Sequence, residues 1–179
     1  MKIKDTRVYL RAFEPDDYKT SILWRNDTDV TSQLGGGKIY VSESSEKKWV
    51  EAAIADTHNI RLAVCLKENN QYIGNVYITD INTQNRSGNS HILIGDKSCW
   101  GKGLSTEAYS LLLEYAFEER GMHRLVAHVL EENVASIALH KKCGYKQEGV
   151  YRKSIYKSGK WHDQIVFGIL EDDYFNKLE

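Results

Sequence analysis

The chain has 179 residues, of which 41% are hydrophobic and 27% charged, a size and composition typical of one globular domain and not of an intrinsically disordered protein. Its formal net charge of −1 excludes a global electrostatic attraction to nucleic acid, and no segment approaches the ~20 apolar residues of a membrane-spanning helix. Three cysteines without C-x-x-C spacing and an N-terminus without an apolar leader argue against a disulfide framework, a zinc site and a secretory signal, and we expect a cytoplasmic protein.

The first sixty residues predict one strand followed by two helices. Alternating apolar and polar residues over 6–13 predict the strand, and Pro15 with the acidic residues around it marks a helix that runs to about Asn26. Three consecutive glycines within residues 30–41 predict a flexible loop. Apolar residues at helical spacing then predict a second helix, from residue 42 or 45 to about residue 58.

The rest of the chain predicts a β-rich middle and a tail in which helices and strands alternate. Strands are expected over 61–67, 72–81, 91–94, 123–130, 145–155 and 161–170, and helices over 104–120 and 132–143. Turn-forming residues join the first two and the last two of these strands as hairpins. This order indicates a single α+β domain that spans residues 1–179.

The segment Cys99–Ala108 places two glycines around Lys102, directly before the helix predicted over 104–120. The first amides of a helix have no intrahelical acceptor and carry partial positive charge, and glycines let an anion approach them. The segment therefore predicts either a phosphate- or pyrophosphate-binding turn or a plain strand-to-helix connection. It matches neither the P-loop nor the three-glycine dinucleotide motif, so a nucleoside triphosphatase or a dehydrogenase is not expected.

Two motifs of the chain, Ser-Cys-Trp-Gly-Lys-Gly at residues 98–103 and a second at residues 133–145, together resemble those of one known family, the GNAT superfamily of acyl-coenzyme-A-dependent N-acyltransferases. Residues 98–103, Ser-Cys-Trp-Gly-Lys-Gly, are similar to its coenzyme motif Q/R-x-x-G-x-G/A except at Ser98. Residues 133–145, Asn-Val-Ala-Ser-Ile-Ala-Leu-His-Lys-Lys-Cys-Gly-Tyr, resemble its motif N-x-x-[AS]-I-x-L-Y-x-K-x-G-F, with His140 at the tyrosine position. The form W-G-K-G-x-x-T-E-A resembles the branch of ribosomal-protein N-terminal and spermidine or diamine acetyltransferases, and the resemblance covers nearly the whole chain.

The resemblance implies a fold and a cosubstrate. The fold is a mixed, mostly antiparallel sheet of about seven strands with about four helices, split by a V-shaped opening between the strands over 91–95 and 124–130. Acetyl-coenzyme A (acetyl-CoA) would lie in that opening, without a metal, with its pyrophosphate on the backbone amides of residues 100–105. A solvated helix face explains Lys142 equally well. The residues expected to bind acetyl-CoA are Ile94, Gly95, Trp100, Gly101, Lys102, Gly103, Leu104, Ser105, Asn133, Ser136 and Lys142.

The resemblance also implies the chemistry, a direct attack of a neutral amine on the thioester within a ternary complex. Deprotonation of an alkylamine with a pKa of about 10.4 costs about 4 to 5 kcal/mol at pH 7. Many relatives use a strand glutamate as the base, but residues 89–94 contain no carboxylate, so His91 is the nearest candidate, or a merely packed histidine. His140 is either a general acid for the thiol or a spectator. Backbone amides around Ile94 and Gly95 are expected to stabilise the oxyanion.

The acceptor site is expected between the first helices, the loop after them and the last hairpin. Aromatic residues with an aspartate suit a polyamine, whereas Arg25 and Asn26 suit a carboxylate, a phosphate or a sugar hydroxyl. We interpret the chain as an enzyme for a small primary amine, such as an amino sugar, polyamine or amino acid derivative. The alternatives are a protein N-terminal acetyltransferase and a non-catalytic acyl-CoA-binding module. The candidate acceptor-binding residues are Trp24, Arg25, Asn26, Tyr77, Tyr151 and Asp163. Relatives often form homodimers, and no nucleic-acid or membrane partner is expected.

Overall fold

A computed structural model describes residues 5–177, in which helices pack against both faces of a seven-stranded sheet. The strands are β1 (Val8–Arg11), β2 (Ile60–Leu66), β3 (Tyr72–Asn82), β4 (Ser87–Ile94), β5 (Arg124–Leu130), β6 (Lys146–Lys157) and β7 (Lys160–Leu170). The α-helices are α1 (Tyr18–Asn26), α2 (Thr28–Ser32), α3 (Glu43–Ala55), α4 (Leu104–Glu114), α5 (Val134–Cys143) and α6 (Glu171–Asn176). None of these helices is long and apolar enough to span a membrane.

The strand order in the sheet is β1-β2-β3-β4-β5-β7-β6, and every neighbouring pair is antiparallel except β4 and β5. The parallel pair β4–β5 is bonded only at its start, from Ser87 opposite Arg124 to Asn89 opposite Val126. Beyond these residues the two strands separate. The V-shaped opening that the resemblance implies is therefore confirmed, and it begins just after Asn89.

The alternation of side chains along the strands divides the core between the two faces of the sheet. On one face, α4 packs on a large cluster centred on fully buried residues such as Val76, Tyr109, Leu112 and Phe167. The opposite face, which we call the α1/α3 face, carries a smaller aromatic-rich cluster. Its buried members are Phe13, Trp24, Val30, Val50, Ala53, Ala63, Cys65 and Tyr72.

The loop predicted over residues 30–41 begins later than expected, because α2 occupies Thr28–Ser32. The Asp27 carboxylate caps this short helix by accepting the amide of Asp29 at 2.8 Å. Val30, in the middle of α2, is only 1% exposed, so burial of this residue stabilises a helix that hydrophobic periodicity alone does not reveal.

The described residues contain six α-helices, not the expected number of about four, because α2 and α6 were not predicted. In α6, Tyr174 stacks on Phe117 at a ring separation of 5.1 Å, and this contact holds the six-residue helix against the core. Strand β4 also begins earlier than predicted, at Ser87. Its polar first residues pair with β3 and bury Gly88, which lies close to Ile78.

Candidate functional site

The turn between β4 and α4 presents a run of backbone amides with no protein acceptor. Gly101 and Gly103 have left-handed φ values of +71° and +79°. Within residues 5–177, the amides of 101–105 donate to no protein group, and the next amide with an acceptor is that of Thr106 in the first turn of α4, which bonds the Gly103 carbonyl at 3.0 Å. A Cβ on Gly101 would meet nothing within 4 Å. The turn is therefore open at Gly101 and has the partial positive charge of a helix N-terminus beside it.

Hydrogen bonds of Arg7 with Glu107 and with the turn itself fix the conformation of this turn. The Glu107 carboxylate accepts the Arg7 backbone amide at 2.6 Å and the Arg7 Nε at 2.8 Å. Arg7 Nη2 also donates to the Lys102 carbonyl at 2.7 Å. Because the Lys102 carbonyl is bonded to Arg7, the conformation of the turn is fixed by side chains as well as by glycine. Neither Arg7 nor Glu107 was among the predicted site residues.

Trp100 connects the turn to the end of β4, since its indole Nε1 donates to the Ile94 carbonyl at 2.8 Å. The Gly95 amide donates to the Ile73 carbonyl on β3 at 2.9 Å, so Gly95 cannot supply the expected oxyanion donor. Backbone groups alternate direction along a strand, so the Ile94 amide points the other way, into the opening. Gly95 is required for a different reason, because a Cβ there would lie 1.9 Å from Trp24 Cδ2.

The predicted cofactor residues on α5 are largely engaged with the protein itself. The Asn133 side chain caps α5 by accepting the Ser136 amide at 2.9 Å, and its Nδ2 donates to the Gln33 carbonyl at 3.0 Å. Lys142 is exposed on the helix surface. The expected contact of Asn133 with the pantetheine arm and that of Lys142 with the adenosine phosphates stay predictions.

His140 lies in a buried hydrogen-bond network on the α4 side of the sheet and is only 3% exposed. Its Nδ1 is 2.7 Å from the Ser136 carbonyl, which requires an N–H there, and its Nε2 lies 3.1 Å from the Tyr109 hydroxyl. Ser90 and Tyr145 complete the network at 2.7 Å from each other. Burial lowers the pKa of His140. The neutral ring bonded in this way has no N–H left for a leaving thiolate.

His91 lies on the opposite face of β4 and is exposed to solvent. Its Nε2 is 3.0 Å from the Thr79 hydroxyl, which itself donates to the Asp80 carboxylate at 3.2 Å. Thr79 therefore accepts from Nε2–H, and the lone pair of Nδ1 is left for a ligand. Surrounding protein lowers the pKa of His91, so that the ring is neutral at pH 7.

His128, which the sequence analysis did not single out, lies across the opening from His91. Each histidine is two residues beyond the last bonded pair, Asn89 and Val126, on its own strand. The charge of His128 contributes to the lowered pKa of His91, as expected for neighbouring groups. The His128 ring stacks on Tyr151 at 5.4 Å. Side chains alternate between the two faces of β5, so His128 lies on the face opposite the buried residues of that strand. This alternation is the sequence signal that could have identified His128 as a site residue.

Three of the residues predicted to bind the acceptor make contacts within the protein that explain their presence without a ligand. Trp24 is buried in the aromatic cluster. The Asn26 side chain donates to the Val41 carbonyl at 2.8 Å and accepts the Val41 amide at 3.0 Å, which fixes the end of the loop before α3. The Asp163 carboxylate accepts the amide of Lys153, at 2.7 Å, where the backbone of β6 is irregular.

Of the other three acceptor residues, Tyr77 also packs on the aromatic cluster, stacked on Phe13 at a ring separation of 6.4 Å, and it lies directly opposite His91 in the β3–β4 register. Tyr151 is 54% exposed beside His128, and 37% of the Arg25 side chain is exposed on α1. Within residues 5–177, no three His, Cys, Asp or Glu side chains come together as a metal site would require.

Comparison with known proteins places this arrangement among characterised folds. A family model described as an acetyltransferase (GNAT) domain matches residues 7–146. The uncharacterized N-acetyltransferase YnaD of Bacillus subtilis is 28% identical over 177 residues, which cover 97% of this chain and 99% of YnaD. Spermidine N(1)-acetyltransferase of Vibrio cholerae is 30% identical over 107 residues, 60% of this chain and 61% of that protein. The crystal structure of spermidine N-acetyltransferase from Vibrio cholerae with CoA and spermine superposes with a TM-score of 0.87 at 26% identity, over 95% of this chain and 99% of that one.

Proposed function

This chain belongs to the GNAT family of acetyltransferases, and we propose that it acetylates the primary amine of a small molecule by direct attack on acetyl-CoA. The match of the family domain over residues 7–146 and the N-acetyltransferase relatives make it an acetyl-CoA-dependent N-acetyltransferase. The observation that carries the proposal is the run of unbonded amides at residues 101–105, next to the opening between β4 and β5.

The residues of the turn fit the pyrophosphate of acetyl-CoA. A dianionic group on these amides would satisfy donors that no protein group occupies and would lie at the positive end of α4. Because Gly101 has no side chain, the approach is open there, and Lys102 adds a nearby cation. The thioester would then lie in the opening, where the Ile94 amide can donate to the oxygen on which negative charge develops.

His91 is the proposed general base. Its free Nδ1 would take one proton of the substrate ammonium, and the neutral nitrogen would then add to the acetyl carbon to form a tetrahedral oxyanion. Collapse of this intermediate breaks the carbon–sulfur bond, and the second proton of the nitrogen passes through solvent to the departing thiolate. Thr79 and Asp80 orient the ring by holding Nε2. The thiol has a pKa of about 8.5, so the thiolate is a fair leaving group and takes its proton from solvent.

His140 is proposed as a positioning residue. Its ring joins α5, through the Ser136 carbonyl, to α4, through the Tyr109 hydroxyl. Ser90 of the same network bonds the Val126 carbonyl at 3.1 Å, at the point where β4 and β5 separate. We propose that this network fixes the width of the opening, in place of the general-acid role that the sequence indicates for His140.

The similarity to a spermidine N-acetyltransferase solved with CoA and spermine supports a small-molecule amine over a protein N-terminus. The three cysteines are buried as free thiols, which supports the expected cytoplasmic setting. We also propose that the chain forms homodimers, which light scattering can test.

Thiol release from acetyl-CoA, measured over polyamines, amino sugars, amino acids and peptides with free N-termini, tests the function. We expect turnover with small amines at a kcat/KM above that for every peptide. Acetylation of peptides alone would replace the proposal by a protein N-terminal acetyltransferase. Tight binding of CoA without turnover of any amine would identify a binding module.

A further inference from the structure

The guanidinium of Arg25 makes no hydrogen bond to any residue between 5 and 177. Arg25 lies on α1 beside the α1/α3 face, with 37% of its side chain exposed. The nearest carboxylate oxygen is Glu46 Oε2, 3.7 Å from Arg25 Nε, which is beyond hydrogen-bonding distance. A guanidinium has five N–H donors in a planar fork. Within the described residues no protein acceptor occupies these donors, and the exposed part of the fork can bind a ligand.

Glu46 holds Arg25 in place without occupying its donors. The Glu46 side chain is 2% exposed, and its Oε1 accepts the Ser21 hydroxyl at 2.6 Å. A buried carboxylate at this distance attracts the guanidinium strongly, because little water screens the two charges. Glu46 itself is buried and inaccessible to a ligand, so the charged group that is exposed at this position is the Arg25 guanidinium and not the Glu46 carboxylate.

Arg25 lies on α1 next to the end of β4. The preceding residue, Trp24, packs so closely on Gly95 that a Cβ there would lie 1.9 Å from Trp24 Cδ2. Tyr77, on the neighbouring strand, is directly opposite His91 in the sheet register, and the charge of Arg25 opposes the rise that burial causes in the pKa of Tyr77. Arg25 is therefore on the helix that packs against the strand end at which the thioester is proposed to lie.

Two carboxylates of the α1/α3 side already pair with arginines. Asp17 accepts both nitrogens of the Arg11 fork, each at 2.7 Å. Asp56 accepts Arg61 Nε at 3.1 Å. An acceptor with a second ammonium group would have to compete with these arginines for a carboxylate, whereas an acceptor with an anionic group would find the fork of Arg25 without a hydrogen-bonded acceptor.

We infer that the acceptor amine carries an oxyanion, a carboxylate or a phosphorus oxyanion, that binds to the guanidinium of Arg25. Guanidinium and carboxylate match as two parallel N–H···O bonds, so the site selects the position of the anion as well as its charge. This inference rests on the proposed function, because it specifies the substrate class of the same reaction.

The experiment compares primary amines that differ only in the terminal group. Each chain of three to six carbons is tested as an ω-amino acid, an ω-aminoalkylphosphonate, an α,ω-diamine and a simple alkylamine. We expect the best acid or phosphonate to exceed the matching alkylamine at least tenfold in kcat/KM and to exceed the diamine. The two anionic series distinguish a carboxylate from a phosphate substrate. A diamine that exceeds both anionic series overturns the inference and leaves the proposed function intact.

Substitution of Arg25 completes the test. In Arg25→Gln, the ratio of kcat/KM for the amino acid to kcat/KM for the matching alkylamine is expected to fall at least tenfold. Arg25→Lys, which keeps the charge, should recover part of this ratio. Arg86→Gln, a surface variant away from the site, should keep the wild-type ratio. If the melting temperature of Arg25→Gln is low because the buried Glu46 carboxylate has lost its partner, the same ratio is measured in the double variant Arg25→Gln/Glu46→Gln, which removes that carboxylate. An unchanged ratio in a folded Arg25 variant overturns the inference.

A binding measurement separates this inference from the proposed function. With CoA present, the N-acetylated ω-amino acid should raise the melting temperature of the wild type more than the matching N-alkylacetamide does, and this difference should vanish in Arg25→Gln. If no small amine is turned over but this difference is found, the proposed function fails and the anion site stands. Equal shifts for both acetylated compounds would contradict the anion site.

Discussion

The Arg7 side chain bonds the Glu107 carboxylate across a separation of 100 residues, with Nε and Oε1 2.8 Å apart. The same guanidinium reaches the Lys102 carbonyl at 2.7 Å. Two distant parts of the chain thus define one turn, whose outward amides are the proposed pyrophosphate site. Arg7 is a positioning residue in this arrangement, since its side-chain donors bond Glu107 and the Lys102 carbonyl.

Replacement of Arg7 by Gln is therefore expected to weaken acetyl-CoA binding without changing the chemical step. Arg7 is more than half exposed, so we expect a loss of ~1 kcal/mol, which is about a fivefold rise in KM for acetyl-CoA. The kcat value should stay within about twofold. Initial-rate measurements at saturating amine check both values, with Arg86→Gln as the surface control. A fall in kcat with KM unchanged would show that Arg7 has another role.

The glycines of the turn allow a matched comparison. Gly101→Ala and Gly121→Ala both place a Cβ at a positive φ, +71° and +58°, and in both cases the Cβ meets no protein atom within 4 Å. The strain of about 1 kcal/mol is thus common to the two variants. Only the Cβ at residue 101 projects over the proposed anion site. We expect the two variants to lose equally in melting temperature, and only Gly101→Ala to show a rise in KM for acetyl-CoA. A rise in KM in both variants would show that backbone strain is the cause.

The sequence predicts this turn because its signals are local. Left-handed glycines followed by a helix start within a few residues are recognisable without knowledge of the rest of the fold. The contact of Arg7 with Glu107 is not local, and nothing in either residue's neighbourhood indicates its partner. The same holds for His128, which becomes a site candidate only when the register of β4 and β5 places it opposite His91.

Short and polar elements escaped prediction for a related reason. Helix α2 depends on the Asp27 cap and on the burial of Val30 against distant residues, and α6 depends on the contact of Tyr174 with Phe117. Helices of this length are unstable alone, so their formation is decided by tertiary packing and not by local periodicity.

His91→Gln is expected to lower kcat/KM about a hundredfold, the usual contribution of a general base. Because the pKa of His91 is below 6.5 and only the neutral ring accepts a proton, the wild type should keep full activity at pH 7 and lose it below pH 6.5. The pH profile of kcat/KM for His91→Gln should lack this loss of activity on the acid side, the acid limb. His58→Gln, at an exposed position, is the control. An acid limb that survives in His91→Gln would exclude His91 as the base.

Lys157 fixes the loop after α2 to the last hairpin. Its Nζ donates to the carbonyls of Thr31 and Ser32 at 2.8 Å and of Leu34 at 2.5 Å, and burial lowers its pKa. Lys157→Met removes all three bonds. We expect trypsin to cleave after Lys38 about fivefold faster, as for a loop that loses ~1 kcal/mol of local stability. The matched control is Lys160→Met, on the same hairpin, and equal cleavage rates in the two variants would contradict the tether.

The burial of His140 makes a prediction about acid stability. Its pKa is lowered in the folded state and is about 6.5 in the unfolded chain, so the unfolded chain binds the proton more tightly. The free energy of unfolding should thus fall as the pH drops below about 6.5, until the folded-state pKa is reached. Denaturant titrations of His140→Gln should show lower stability at pH 7 and a weaker dependence between pH 7 and 5. If the variant also loses the alkaline limb of the wild-type kcat profile, His140 donates a proton, as its place in the sequence motif indicates, and the positioning role is wrong.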